Sequence, residues 1–88
     1  MKTLLITVLL TATLSAQSQC SYAIENANKQ VEGLRISFDD KDKWGIRASR
    51  DSFKYWTKIA IMQCPKAKSD EMREWRKEVL QKIEAAGI

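Results

Sequence analysis

Two cysteines are the residues of this chain whose chemistry is easiest to assign. Cys20 and Cys64 are the only cysteines among the 88 residues, and they do not form a C-x-x-C motif. An even cysteine count in a short exported chain is typical of a disulfide framework. We therefore expect one bond between these two residues within the chain.

Catalytic chemistry has few candidate residues. The chain contains no histidine, which removes the usual general base, the usual pH switch and the commonest metal ligand. Ser52 lies among lysines, but such a Ser–Lys arrangement is common on helices. The acids Asp39, Asp40 and Asp42 have a D-x-D spacing but lack the glycine and the later glutamate of an EF-hand loop. We interpret them as a solvated turn, and we expect no enzymatic activity, no metal and no cofactor.

Basic residues on one side of a predicted helix form the main candidate binding surface. Steps of three and four residues place them on one helix face, and residues 43–68 contain seven basic residues and one acid, Asp51. Such a stripe can bind an acidic protein groove or an anionic envelope surface, or it can be the solvated face of the helix. Trp44 is a further candidate, since aromatic residues anchor interfaces. The candidate binding residues are Lys43, Trp44, Arg47, Arg50, Lys54 and Lys58.

The elements that position these residues follow from two apolar patterns. One pattern recurs at positions 24, 27, 31, 34 and 38 after Cys20, and the other at 46, 49, 53, 56 and 60 before Cys64. Folding the second run back on the first pairs 20 with 64, 27 with 56 and 38 with 46, which is the register of an antiparallel helical hairpin. We predict helices over about residues 20–38 and 43–63. Gly33 offers an alternative end of the first helix, with Ser37 capping a new one, but the cysteine pairing favours one long helix.

A third helix is predicted after Pro65, over about residues 70–86. Ser69 is a suitable N-cap and Gly87 a suitable stop. We expect this helix to pack on a second apolar pattern of the middle helix and to shield Trp75 there with Ile59 or Tyr55. The fold class is therefore all-α, a disulfide-closed hairpin plus a third helix. The second apolar pattern consists of Trp44, Ala48, Tyr55, Ile59 and Met62.

The first 18 residues have the pattern of a secretory signal peptide. Lys2 precedes the uncharged run Leu4–Leu10, and small residues follow. Cleavage is expected near residues 16–19, with the bond before Gln19 and the bond after Ala16 as alternatives. The apolar run is shorter than the roughly 20 residues of a transmembrane helix, and the residues before Cys20 do not favour lipidation. We expect a single helical domain at residues 19–88 in a periplasmic or secreted protein, with no transmembrane segment.

Charge and location narrow the function to two classes. Without Lys2 the chain has 14 basic and 11 acidic residues, a net charge of +3, and export argues against nucleic acid as the partner. We expect a non-enzymatic protein that binds another macromolecule in the cell envelope, as an inhibitor, adaptor or exclusion-type factor. The alternative is a cationic membrane-active peptide that binds anionic lipid or lipopolysaccharide. Helix packing that uses the apolar residues favours the first class, because a membrane-active helix presents one uncovered apolar face.

Overall fold

Three helices and two short connections make up the fold. The computed structural model describes the backbone of residues 2–87 and the side chains of residues 18–87. Within this range the helices are α1 (Lys2–Asp39), α2 (Lys43–Gln63) and α3 (Lys66–Ala85). The middle helix, α2, packs against both α1 and α3. The predicted all-α class, the antiparallel hairpin and the third helix are confirmed.

The predicted disulfide closes the open end of the hairpin. Cys20 of α1 is bonded to Cys64, and their Cα atoms lie 4.8 Å apart across a sequence separation of 44 residues. Cys64 is the C-cap residue of α2 and precedes α3 by one residue. The bond therefore holds α1 at the junction between the other two helices.

The first helix is longer than predicted at its N-terminal end. It begins at Lys2 rather than near Cys20, since the leucines of the apolar run and the alanines that follow it are themselves good helix formers. The predicted signal peptide and its cleavage at residues 16–19 lie almost wholly outside the residues whose side chains the structure describes. Gly33 does not end α1; a Cβ atom there would lie 3.0 Å from Ser49 Oγ. This glycine thus lets α1 and α2 approach each other closely.

The turn between α1 and α2 combines a helix C-cap with a helix N-cap. Lys41 has a φ of 56°, and the N–H groups of Lys41 and Asp42 donate to the carbonyls of Phe38 and Ser37 at 3.2 and 2.9 Å. These are the two bonds of a Schellman motif, in which glycine is the usual residue at the left-handed position. Asp42 then caps α2, because its Oδ1 accepts from the Gly45 N–H at 3.0 Å.

The third helix begins four residues earlier than predicted, and Ser69 is not its N-cap. Pro65 occupies the cap position without a side-chain hydrogen bond, and the Ser69 N–H donates to the Pro65 carbonyl at 2.8 Å. The Ser69 hydroxyl instead donates to the Ile61 carbonyl of α2 at 2.7 Å. The side chain that looks like a local cap is therefore a buried link between two helices.

The core consists of two clusters, each with residues from all three helices. One lies near the disulfide and the other near the α1–α2 turn, so that both ends of the domain are packed. Phe53, fully buried between them, meets Trp75 edge-to-face at 5.0 Å. The buried members are Ala23, Ala60 and Met72 in the first cluster and Leu34, Ile46 and Ile83 in the second.

The contact between α2 and α3 does not use the predicted surface of α2. Thr57, which is fully buried, donates its hydroxyl to the Phe53 carbonyl at 2.7 Å and accepts from Arg76 Nε at 3.1 Å. Trp75 and Ile59 both pack against the first core cluster, and the aromatic neighbour of Trp75 is Phe53. Tyr55 remains largely exposed. Most of the second apolar pattern is therefore left uncovered.

Candidate functional site

A row of exposed side chains follows the side of α2 opposite the core. Trp44, Tyr55 and Met62 are exposed to 78%, 59% and 69%, whereas Ile59 at the edge of the row is half-buried. Their spacing places them on one side of a helix with 3.6 residues per turn. Large apolar side chains clustered on a surface are typical of an interaction site. We call this row the outward face of α2; it consists of Trp44, Ala48, Asp51, Tyr55 and Met62.

Neighbouring side chains hold the two large aromatic groups of this face. The Arg47 guanidinium lies over the Trp44 ring, 5.5 Å from its centroid. The Tyr55 ring meets Trp56 edge-to-face at 5.1 Å, and Trp56 meets Tyr22 of α1 in the same way at 5.5 Å. Such contacts restrict rotamers, so less side-chain entropy is lost when a partner binds.

Three of the predicted basic residues border the outward face on one side. Arg47, Lys54 and Lys58 are exposed, and within residues 18–87 none of them lies within 4.0 Å of a carboxylate. The other border, at Ser52 and Ile59, carries no charge. We call the three residues the basic flank. The surface thus combines a mainly apolar row, in which Asp51 pairs with Arg50, with positive charge along a single edge.

The other two predicted basic residues lie outside this arrangement. Arg50 is only 32% exposed and pairs with Asp51 at 3.2 Å, and together with Lys54 it lines a shallow groove of about 240 Å³ towards Leu80 and Glu84 of α3. Lys43 is exposed in the first turn of α2, close to the α1–α2 turn. Of the five predicted basic residues, Arg47, Lys54 and Lys58 therefore remain next to the outward face.

Two of the three acidic residues of the turn have structural partners. Asp42 caps α2, and Asp39 pairs with Arg35 at 3.5 Å. A hydrogen bond from Arg35, reinforced by its charge, holds the pKa of Glu32 below its ordinary value. Within the described residues, His, Cys, Asp and Glu side chains form no group of three that could hold a metal ion.

The outward face of α2 is the most distinctive surface of the described residues. No family model, curated protein or solved structure matches this chain. Among the described residues, no helix is both long enough and apolar enough to cross a bilayer. The exposed row on α2 and the basic flank beside it are therefore the features that indicate a function.

The sequence analysis placed four residues of this face against α3: Trp44, which was also a candidate binding residue, and Ala48, Tyr55 and Met62. Their spacing of four and seven residues gives the same pattern whether the neighbour is α3 or a separate molecule. The sequence does contain one indication of an exposed apolar surface: α2 has apolar residues on more of its circumference than two neighbouring helices can cover.

Proposed function

We propose that this chain is a small exported protein that acts, without catalysis, by binding another macromolecule in the cell envelope. The outward face of α2 carries this proposal, because Trp44, Tyr55 and Met62 stay exposed beside a core that is closed by all three helices. Tryptophan and tyrosine are the residues that most often dominate binding energy at interfaces. An inhibitor, an adaptor or an exclusion-type factor would each work through such a surface.

Export is supported by two independent features. The sequence pattern of residues 1–18 is typical of a signal peptide, and the Cys20–Cys64 disulfide is compatible with an oxidising compartment such as the periplasm or the cell exterior. A binding partner in the envelope or outside the cell is consistent with both.

A cationic membrane-active peptide remains the alternative. The exposed row on α2 shows that packing between the helices leaves several apolar residues uncovered, as in a membrane-active helix. Tryptophan with flanking lysines is typical of helices that lie on anionic lipid. Asp51 opposes this alternative, because its carboxylate is 67% exposed in the middle of the row that would contact the anionic headgroups. Protein binding is therefore the function that the surface supports better.

Site-specific photo-cross-linking in the producing cell tests the proposal. A benzophenone amino acid replaces Trp44, and the matched control replaces Gln81, which is exposed on α3. We expect discrete heavier protein adducts from position 44 and none from position 81. Adducts of equal yield at both positions, or no adducts, would contradict the proposal. Adducts that are extracted with organic solvent would support the membrane alternative.

A further inference from the structure

The outward face of α2 has the shape and charge to receive one further helix. We infer that its occupant is an acidic amphipathic helix of a partner protein, an inference that rests on the proposed function and specifies the partner. The face extends from Trp44 to Met62, a separation of 18 residues, which corresponds to about 27 Å at the helical rise. A partner helix of about five turns would match it along its whole length.

The spacing of the face is that of a helix–helix seam. Trp44, Ala48, Tyr55 and Met62 follow one another at four, seven and seven residues, close to the 3.5-residue period at which two helices remain in contact. Ala48 is small and lies between two large aromatic residues, which leaves a notch for a partner side chain. Peptide helices that dock on such surfaces do so with apolar anchors at heptad-like positions.

The charge beside the seam determines which helix fits. Arg47, Lys54 and Lys58 lie along one edge without a carboxylate partner among residues 18–87, whereas Arg50 is paired with Asp51. Residues at the edges of a helix pair form the ion pairs that select the partner and its direction. An apolar seam bordered by glutamates or aspartates on one edge would complement this surface.

Two other occupants fit the charges less well. An antiparallel second copy would bring the basic flank against the same flank, because equivalent edges meet when two identical helices pair in opposite directions. A parallel copy would bring the flank against the uncharged edge with Ser52 and Ile59, which supplies no acid. Anionic lipid would match the flank but would surround Asp51 with headgroups of like charge, whereas a partner helix can place an uncharged residue opposite Asp51 and its acids along the flank.

Selection from a peptide library tests the inference directly. The folded protein is presented to displayed 21-residue helices that carry leucine at the seam positions and Glu, Gln or Lys in equal proportion along both edges. We expect enrichment of sequences with glutamate along one edge. Enrichment of neutral or lysine-rich edges, or no enrichment above an uncoated support, would overturn the acidic helix.

Charge reversal provides the second arm of the test. The variant Arg47→Glu, Lys54→Glu, Lys58→Glu should select lysine-edged peptides and lose at least about tenfold in affinity for the glutamate-edged ones. The control variant Lys66→Glu, Lys77→Glu, Lys82→Glu makes the same change in net charge on exposed positions of α3 and should keep the original preference. Circular dichroism verifies that both variants are folded. Equal losses in the two variants would mean that net charge, rather than the basic flank, attracts the peptide.

Two further measurements distinguish the other occupants. Trp44→Ala should weaken binding of the selected peptide more than about tenfold, as expected for a large aromatic anchor. The unmodified protein is also tested for binding to phosphatidylglycerol vesicles, and binding that is lost in Trp44→Ala would assign the face to lipid instead. The protein is likewise tested for dimerisation, and a concentration-dependent dimer that is lost in the same variant would assign the face to a second copy. A positive cross-link at position 44 with a failed peptide selection would reject the acidic helix and leave the proposed function intact.

Discussion

Reduction of the Cys20–Cys64 disulfide should remove a large part of the stability of the hairpin. The bond closes a loop over a sequence separation of 44 residues. In the chain-entropy model a loop of this length contributes about 4 kcal/mol to the free energy of unfolding. A domain of about 70 residues has a total stability of roughly 3.5–10 kcal/mol. The reduced protein should therefore melt about 15–30 °C lower, given the sensitivity of small domains to such losses.

Thermal and urea melts followed by circular dichroism at 222 nm measure this effect. The oxidised protein is compared with the fully reduced protein, and thiol titration verifies that reduction is complete. The variant Cys20→Ala, Cys64→Ala serves as control: it should melt at low temperature and should not respond to the reductant. Because Cys20 is buried and Cys64 packs against the first core cluster, this variant should be slightly less stable than the reduced protein, through lost packing of the sulfur atoms.

A loss of less than about 1 kcal/mol on complete reduction would refute this reasoning. It would mean that the unfolded chain is already restricted near these residues, so that the bond removes little additional entropy. The hairpin would then be held mainly by the contacts between α1 and α2.

Three substitutions test the packing and the turn, each measured by urea unfolding. Ala27→Leu should cost roughly 1–3 kcal/mol, since Ala27 is fully buried and a larger side chain overpacks the hairpin; an unchanged midpoint would show that the site has room. Trp75→Ala should cost roughly 3–5 kcal/mol through the lost contact with Phe53, whereas a loss of binding alone would identify Trp75 as an exposed anchor. Lys41→Gly should stabilise the turn by about 0.5–1 kcal/mol, because Lys41 has a positive φ that glycine adopts without strain; destabilisation would mean that the Lys41 side chain contributes to the turn.

The hairpin could be predicted because it depends on local features, such as the polar turn and Pro65, and on the regular spacing of apolar residues. The bounds of α2 at Lys43 and Gln63 agree with the prediction, since a polar turn precedes the helix and Pro65 follows it soon after its end. The Cys20–Cys64 pair followed from two apolar patterns with matching spacing. Periodicity of this kind shows which residues share a side of a helix.

The start of α3 was mispredicted because a local rule competed with a tertiary contact. A serine before two acidic residues is a good N-cap by sequence. In the folded chain the Ser69 hydroxyl instead binds the Ile61 carbonyl of α2, and α3 begins directly after Pro65. The hydrogen bond between Arg76 and the buried Thr57 belongs to the same helix contact and had no signal in the sequence.

The sequence by itself determined the all-α class, the disulfide and the set of residues that share each side of α2. Tertiary structure decided which of those sides is covered. Helical periodicity is the same for a side that packs on a neighbouring helix and for one that awaits a partner, whereas burial depends on where the other helices lie. Since α3 packs beside Thr57 and Phe53, the row from Trp44 to Met62 remains on the surface with the basic flank next to it.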